Sequence, residues 1–178
     1  MGASQWSYIV PYQENVLEAF KGLQVRLFLS NDYYALQTES ELKKYLDNEF
    51  AKPPSEQFGG YYPGIESEIE HQRRLHEYLN TPTPNDVVGQ LRRLQTIWLK
   101  FDFCGTHSAI DIVEPDSLAS FTQDEIVSLF GTPHPTRKQC EQGKHLSGLT
   151  FGRFEARYLY IYENHQPVEI CFIGISGD

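Results

Sequence analysis

The chain has 178 residues, of which 40% are hydrophobic, and a formal net charge of −9 at pH 7. A chain of this length fits one domain and buries enough surface to fold without a disulfide or a metal. The excess of carboxylates argues against a nucleic-acid partner, because a phosphate backbone needs a broad cationic face. An odd number of cysteines, three, predicts free thiols in a reducing cytoplasm. No apolar run approaches the roughly 20 residues that cross a bilayer, so no membrane association is expected.

The first third of the chain is predicted to contain one strand and two helices. The segment “WSYIV” is aromatic and β-branched and ends at Pro11, which is typical of a strand. Apolar residues then recur every three or four positions from Val16 to Leu27, which indicates a helix. Thr38 and Glu41 have the spacing of a capping box at the start of a second helix.

The middle of the chain is predicted to begin with a long loop over residues 52–64. Proline and glycine recur there, and Tyr61 and Tyr62 are candidates for a contact surface. A charge-rich helix follows over residues 65–80. We expect Thr83 to cap the next helix, because proline comes directly after it.

The second half of the chain is predicted to supply most of the strands. “LKFDF” and “THSAIDIV” have β-like patterns, and “RFEARYLYIYE” and “PVEICFIGI” read as a hairpin joined by “NHQ”. A capping box at Thr122 and Glu125 starts a helix that ends at Gly131. A short helix is expected over residues 136–142. The sequence therefore predicts a single α+β domain over residues 1–178. Its sheet is mostly antiparallel, of about four or five strands, with helices concentrated in the N-terminal half.

The stretch “CGTHSAIDIVEP” combines a thiol, an imidazole, a hydroxyl and a carboxylate. On a strand that rises about 3.3 Å per residue, His107 and Asp111 would share a face roughly 13 Å apart, with Ser108 on the other face. These side chains cannot form a Ser-His-Asp relay with one another, because that needs hydrogen bonds of about 3 Å. His107 and Asp111 stay candidate acid–base residues of a small-molecule enzyme or binding domain. Their pocket would be lined by Tyr158 and Tyr160.

A zinc site is the second chemical interpretation of this stretch. Cys104 and His107 have the spacing C-x-x-H, and Cys140 and His145 could complete four ligands. The downstream spacing matches no zinc-finger pattern, so we favour a Cys104 that packs as a small core residue and a His107 that hydrogen-bonds at a strand start, and we expect no cofactor. Glycine-rich nucleotide-binding motifs are also missing from the sequence, which leaves dinucleotide and P-loop chemistry without support.

Four short stretches, “WSYIVPYQENVLEAF”, “GTHSAIDI”, “SLFGT” and “ISGD”, resemble small bacterial proteins to which no activity is attached. The resemblance implies a bacterial cytoplasmic protein and transfers no functional residue.

The favoured hypothesis is a non-catalytic protein-binding module, such as an immunity protein or inhibitor of a basic toxin or enzyme. The acidic stretch from Asp111 to Glu125, with Asp116 and Asp124 in it, would speed association with a basic partner by electrostatic steering. Tyr61 and Tyr62 would be contact anchors.

Overall fold

A computed structural model describes the chain over residues 5–33, 38–60, 64–100, 106–113, 115–142 and 152–176. These ranges contain six α-helices and a four-stranded mixed sheet, which confirms the α+β class. Contacts divide the chain into two compact units, Met1–Tyr34 with Gly105–Asp178, and Ala35–Cys104. The expectation of a single domain stays a prediction.

The elements are numbered in chain order. The strands are β1 (Gln5–Pro11), β2 (Leu118–Ser120), β3 (Glu155–Glu163) and β4 (Gln166–Ile175). The helices are α1 (Val16–Ser30), α2 (Glu39–Phe50), α3 (Ile65–Leu79), α4 (Val87–Lys100), α5 (Gln123–Phe130) and α6 (Arg137–Glu141). None of the helices in the described ranges is both long and apolar enough to span a membrane.

The sheet belongs to the first unit and has the strand order β1-β4-β3-β2. β4 pairs antiparallel with both β1 and β3, as the mostly antiparallel prediction requires, whereas β2 pairs parallel with β3. The hairpin between β3 and β4 turns at Asn164 and His165, which both have positive φ angles. Two consecutive left-handed residues are typical of the tight turn whose twist matches that of the flanking strands.

Helices cover both faces of this sheet. On one face, Phe20 of α1 lies 4.9 Å from Phe172 and 6.4 Å from Trp6, measured between ring centroids. The other face carries an apolar cluster that includes Phe121, Cys140, Leu159, Ile161, Cys171 and Ile173, with side chains of α5 packed against it. Successive side chains point to opposite faces, so in the central strand β4 the covering of both faces buries five consecutive residues, 170–174.

The second unit consists of α2, α3 and α4. Its core contains Leu42, Leu46, Leu75, Leu79 and Ile97. The capping box at the start of α2 is confirmed, since the Thr38 hydroxyl accepts a hydrogen bond from the Glu41 backbone N–H while the Glu41 carboxylate accepts one from that of Thr38. Residues 52–60, after α2, form turns and a short 3₁₀ helix.

Two predicted boundaries in the second unit are wrong. α4 begins at Val87 rather than directly after Thr83, because the Asp86 carboxylate accepts the Gly89 N–H at 2.7 Å and caps the helix there. The strand predicted over “LKFDF” begins within α4, which continues to Lys100. The rest of that segment, residues 101–103, lies outside the described residues.

Candidate functional site

The segment 106–113 carries the predicted acid–base residues, and it is a turn with a 3₁₀ helix over Ala109–Asp111 rather than the expected strand. The Asp111 carboxylate accepts the Thr106 N–H at 2.8 and 2.9 Å and the Thr106 hydroxyl at 2.7 Å. The Ser108 hydroxyl accepts the Ile110 N–H at 3.2 Å. These local bonds satisfy backbone groups that a strand would pair with a neighbour, which is why the β-like pattern misleads here.

Helix α1 holds this turn in place. The Gln24 side-chain amide donates to the carbonyls of Ala109 and Ile112, at 2.9 and 2.7 Å. Asp111 is only 2% exposed, and its carboxylate is engaged with the turn itself. His107 is half-buried and has a φ angle of 55°, a left-handed conformation that non-glycine residues seldom adopt. The contacts of Asp111 therefore assign it to holding the turn.

The acidic stretch is less exposed than the sequence suggests. Asp111 is buried, so it adds no charge to the surface, and this part of the steering expectation is wrong. Asp116 and Asp124 are exposed. Glu125 pairs with Arg157 at 2.5 Å, and this bond, with the Thr122 cap, lowers the pKa of Glu125 to about 2.

Tyr158 and Tyr160 lie on the sheet face that α1 covers. Tyr158 is paired with Phe172 across the strands, with 6.3 Å between ring centroids, and Tyr160 is 5.9 Å from Tyr158. Tyr12 follows at 5.8 Å from Tyr160. Burial raises the pKa of Tyr160, and its tyrosine neighbours raise it further. These contacts form a partly buried aromatic row along the sheet.

Of the remaining candidate residues, the structure describes Cys140 and does not describe the other four. Tyr61, Tyr62, Cys104 and His145 lie outside the described residues. Cys140, the other member of the weak zinc set, is buried on α6 beside Cys171 of β4. Over the described ranges, no group of three or more histidine, cysteine or acidic residues is arranged to hold a metal ion.

A cavity of about 530 Å³ lies alongside β1 in the first unit. It is lined by five consecutive residues of β1, one residue of α1, three of α6 and two of β4: Gln5–Ile9, Arg26, Arg137, Cys140, Glu141, Cys171 and Ile173. Its volume falls within the range of about 300–1,000 Å³ that is usual for ligand pockets. Trp6 is one of the lining residues, and among the described residues its buried indole N–H has no acceptor.

β1 is an edge strand, and its hydrogen-bonding register with β4 determines which of its backbone N–H and C=O groups face away from the sheet. The Tyr12 N–H donates to the Val168 carbonyl at 2.9 Å, in the same register that places Pro11 opposite Glu169. Hydrogen-bonded positions alternate in an antiparallel pair, so the even-numbered β1 residues bond to β4. The N–H and C=O groups of Ser7 and Ile9 therefore face the open edge. No strand in the described part of the chain pairs with that edge.

Ion pairs neutralise much of the charge at the α6 wall of the cavity. Arg137 contacts Glu141 at 2.7 Å and Glu169 at 2.5 Å. Both carboxylates raise the pKa of Arg137, most strongly through the hydrogen bond to Glu141. The Arg137 guanidinium in this wall is therefore already bound to two carboxylates. The backbone groups on the open edge of β1 are more available to bind a partner.

Comparison with protein-family models, with curated proteins and with solved structures finds no match to this chain. The site is therefore interpreted from its own geometry. The sequence did not predict two features of the site. The first is the edge position of β1, which depends on pairing with a strand more than 150 residues away. The second is the contact between Cys140 and Cys171. The lack of charged residues in “QWSYIVP” is the signal that could have indicated an edge kept for pairing.

Proposed function

We propose that this protein is a non-catalytic binding module whose open β1 edge accepts an extended segment of a basic protein partner. The observation that carries the proposal is an edge of β1 that no other described strand pairs with, beside a cavity of about 530 Å³. A peptide that adds to a sheet edge gains main-chain hydrogen bonds, while pockets along the edge select its side chains.

The amino-acid composition of β1 supports an edge that pairs with another chain. Proteins guard exposed edge strands with charged residues, prolines or bulges, because an unguarded edge pairs with other chains. β1 has no charged residue between Gln5 and Pro11, and its only proline stands at its end. The side chains of Ser7 and Ile9 share the sheet face that α6 borders, so alternate side chains of an added strand would enter the cavity there.

Net charge supports a basic partner. The chain carries a formal charge of −9, and Asp116 and Asp124 in the first unit are exposed. A field of this sign accelerates encounter with a positively charged protein and slows encounter with acidic ones. An immunity protein or inhibitor of a basic toxin or enzyme is the class of module that this combination supports. The odd cysteine number supports a cytoplasmic location as part of the same proposal.

The test uses a pair of variants at one position. Ser7→Pro removes an N–H that faces the open edge and spares the bonds between β1 and β4, and the preceding Trp6 already has the extended conformation that proline requires. Ser7→Ala changes only the side chain and is the matched control. Short linear peptides are selected from a displayed random library against the wild-type chain, and their affinities for the three proteins are measured by calorimetry.

We expect the selected peptides to bind the Ser7→Pro variant at least about tenfold more weakly, since one edge hydrogen bond and close approach of the strand are lost. Binding to Ser7→Ala should be unchanged. Equal affinity for all three proteins, or a selection that yields no binder, contradicts the proposal. A wild-type homodimer that becomes monomeric on Ser7→Pro would identify a second copy as the occupant and overturn the partner assignment.

A further inference from the structure

Two cysteines far apart in the sequence meet at the wall of the cavity. Cys140 lies on α6 and Cys171 in the middle of β4, and both are free thiols that line the cavity. They are 6% and 2% exposed, so the cavity is the route by which a reagent reaches them. They also belong to one apolar cluster, which brings the two side chains together from both elements.

The contact makes the two sulfurs chemically unequal. The interaction between the two neighbouring thiols lowers the pKa of Cys140 and raises that of Cys171. Burial and the Glu169 carboxylate raise the pKa of both thiols, and the Glu141 carboxylate also raises that of Cys140. Both carboxylates are bound to Arg137. Cys140 is also the more exposed thiol, at 6% against 2%, so it is the better-placed nucleophile of the pair.

We propose that Cys140 and Cys171 form a dithiol site that reacts with small-molecule disulfides entering the cavity and closes to an intramolecular disulfide. The Cys140 thiolate attacks one sulfur of the reagent, breaks its S–S bond and releases one thiolate, which takes up the proton that Cys140 lost. Cys171, after losing its proton to solvent, attacks the Cys140 sulfur and releases the second thiol. Two protein thiols are oxidised, and one reagent disulfide is reduced to two thiols.

Burial favours this order of events. The first attack needs a stabilised thiolate that the reagent can reach from the cavity, and Cys140 meets both requirements. The second needs only the neighbouring sulfur, which lies in the same apolar cluster and must approach to the S–S bond length of about 2.05 Å. α6 is a helix of five residues, so it is the element that can shift to allow this approach.

The test uses 2-hydroxyethyl disulfide, a small neutral reagent, with all proteins carrying Cys104→Ser so that the third thiol is removed. Intact mass and peptide mapping follow the reaction after acid quenching. We expect the parent protein to lose two hydrogen atoms and to yield a peptide pair joined through Cys140 and Cys171. The Cys171→Ser variant should stop at a mixed disulfide on Cys140. The Cys140→Ser variant should leave Cys171 unmodified.

Reaction of Cys171 in the Cys140→Ser variant as fast as that of Cys140 in the Cys171→Ser variant would overturn the assignment. So would a parent protein that accumulates only mixed disulfide, or that does not react. A second measurement needs no substitution in the pair: brief alkylation of the folded parent protein should label Cys140 at least about tenfold faster than Cys171. Labelling of the two residues at equal rates, or only after unfolding in urea, also overturns the proposal.

Discussion

The buried carboxylate of Asp111 yields a prediction that separates a structural role from a catalytic one. Asp111→Asn keeps the size of the side chain but replaces one acceptor oxygen with an amide donor. The carboxylate accepts three contacts from Thr106, and the variant leaves at least one of these donors facing another donor. A hydrogen bond to a charged group contributes about 1.5–3 kcal/mol, and a stranded buried donor costs about 1–3 kcal/mol. We therefore expect the free energy of unfolding to fall by about 3 kcal/mol.

Urea unfolding followed by circular dichroism measures this change, with the slope against urea concentration checked for constancy. Asp116→Asn is the matched control, since it makes the same chemical change at an exposed carboxylate in the same unit. The control should stay within about 0.5 kcal/mol of the wild type. An Asp111→Asn variant as stable as the control would refute the structural role and restore Asp111 as an acid–base candidate.

Further predictions concern charge and the thiol pair. Glu125→Gln should cost about 1 kcal/mol at neutral pH, because the partly exposed pair with Arg157 contributes modestly. The pKa of Glu125 is lowered from 4.5 to about 2. This difference from the wild type should therefore be fully present above pH 4.5 and be lost as the pH falls through 2, as measured by thermal unfolding across that range. Joining Cys140 to Cys171 closes a loop of about 32 residues and should stabilise the folded state by about 3–4 kcal/mol relative to the reduced protein, an outcome that a lower urea midpoint after oxidation would contradict. Asp116→Lys should slow association with a lysine-rich selected peptide by about two- to threefold at low salt, in stopped-flow mixing, with no difference left at high salt.

Local signals explain which elements the sequence could predict. The capping boxes at Thr38 and Thr122 each bring a hydroxyl and a carboxylate within three residues of one another, and both form as expected. The β3–β4 hairpin was also predictable, because its turn is only two residues long. These features depend on neighbours in the chain, so the pattern of residues carries nearly all the information.

Non-local contacts explain what the sequence could not supply. β2 has three residues, too few for an alternating pattern, and its parallel pairing with β3 depends on the path of the chain through α5 and α6. The segment 106–113 reads as β because its apolar residues are buried, yet the side chains of Ser108 and Asp111 bind its own backbone. The contact between Cys140 and Cys171 likewise follows from the docking of α6 against β4, which no spacing in the sequence encodes.

Hydrogen exchange along β1 tests the central claim, that its outer edge is open for a partner. In the free protein, the amides of Ser7 and Ile9 should exchange with solvent at rates close to those of an unfolded chain, while those of Tyr8 and Val10, which bond to β4, should be protected. Adding a peptide selected against the wild-type chain should protect Ser7 and Ile9 as well. Protection of Ser7 and Ile9 in the free protein, or peptide binding that leaves their exchange unchanged, would contradict this account.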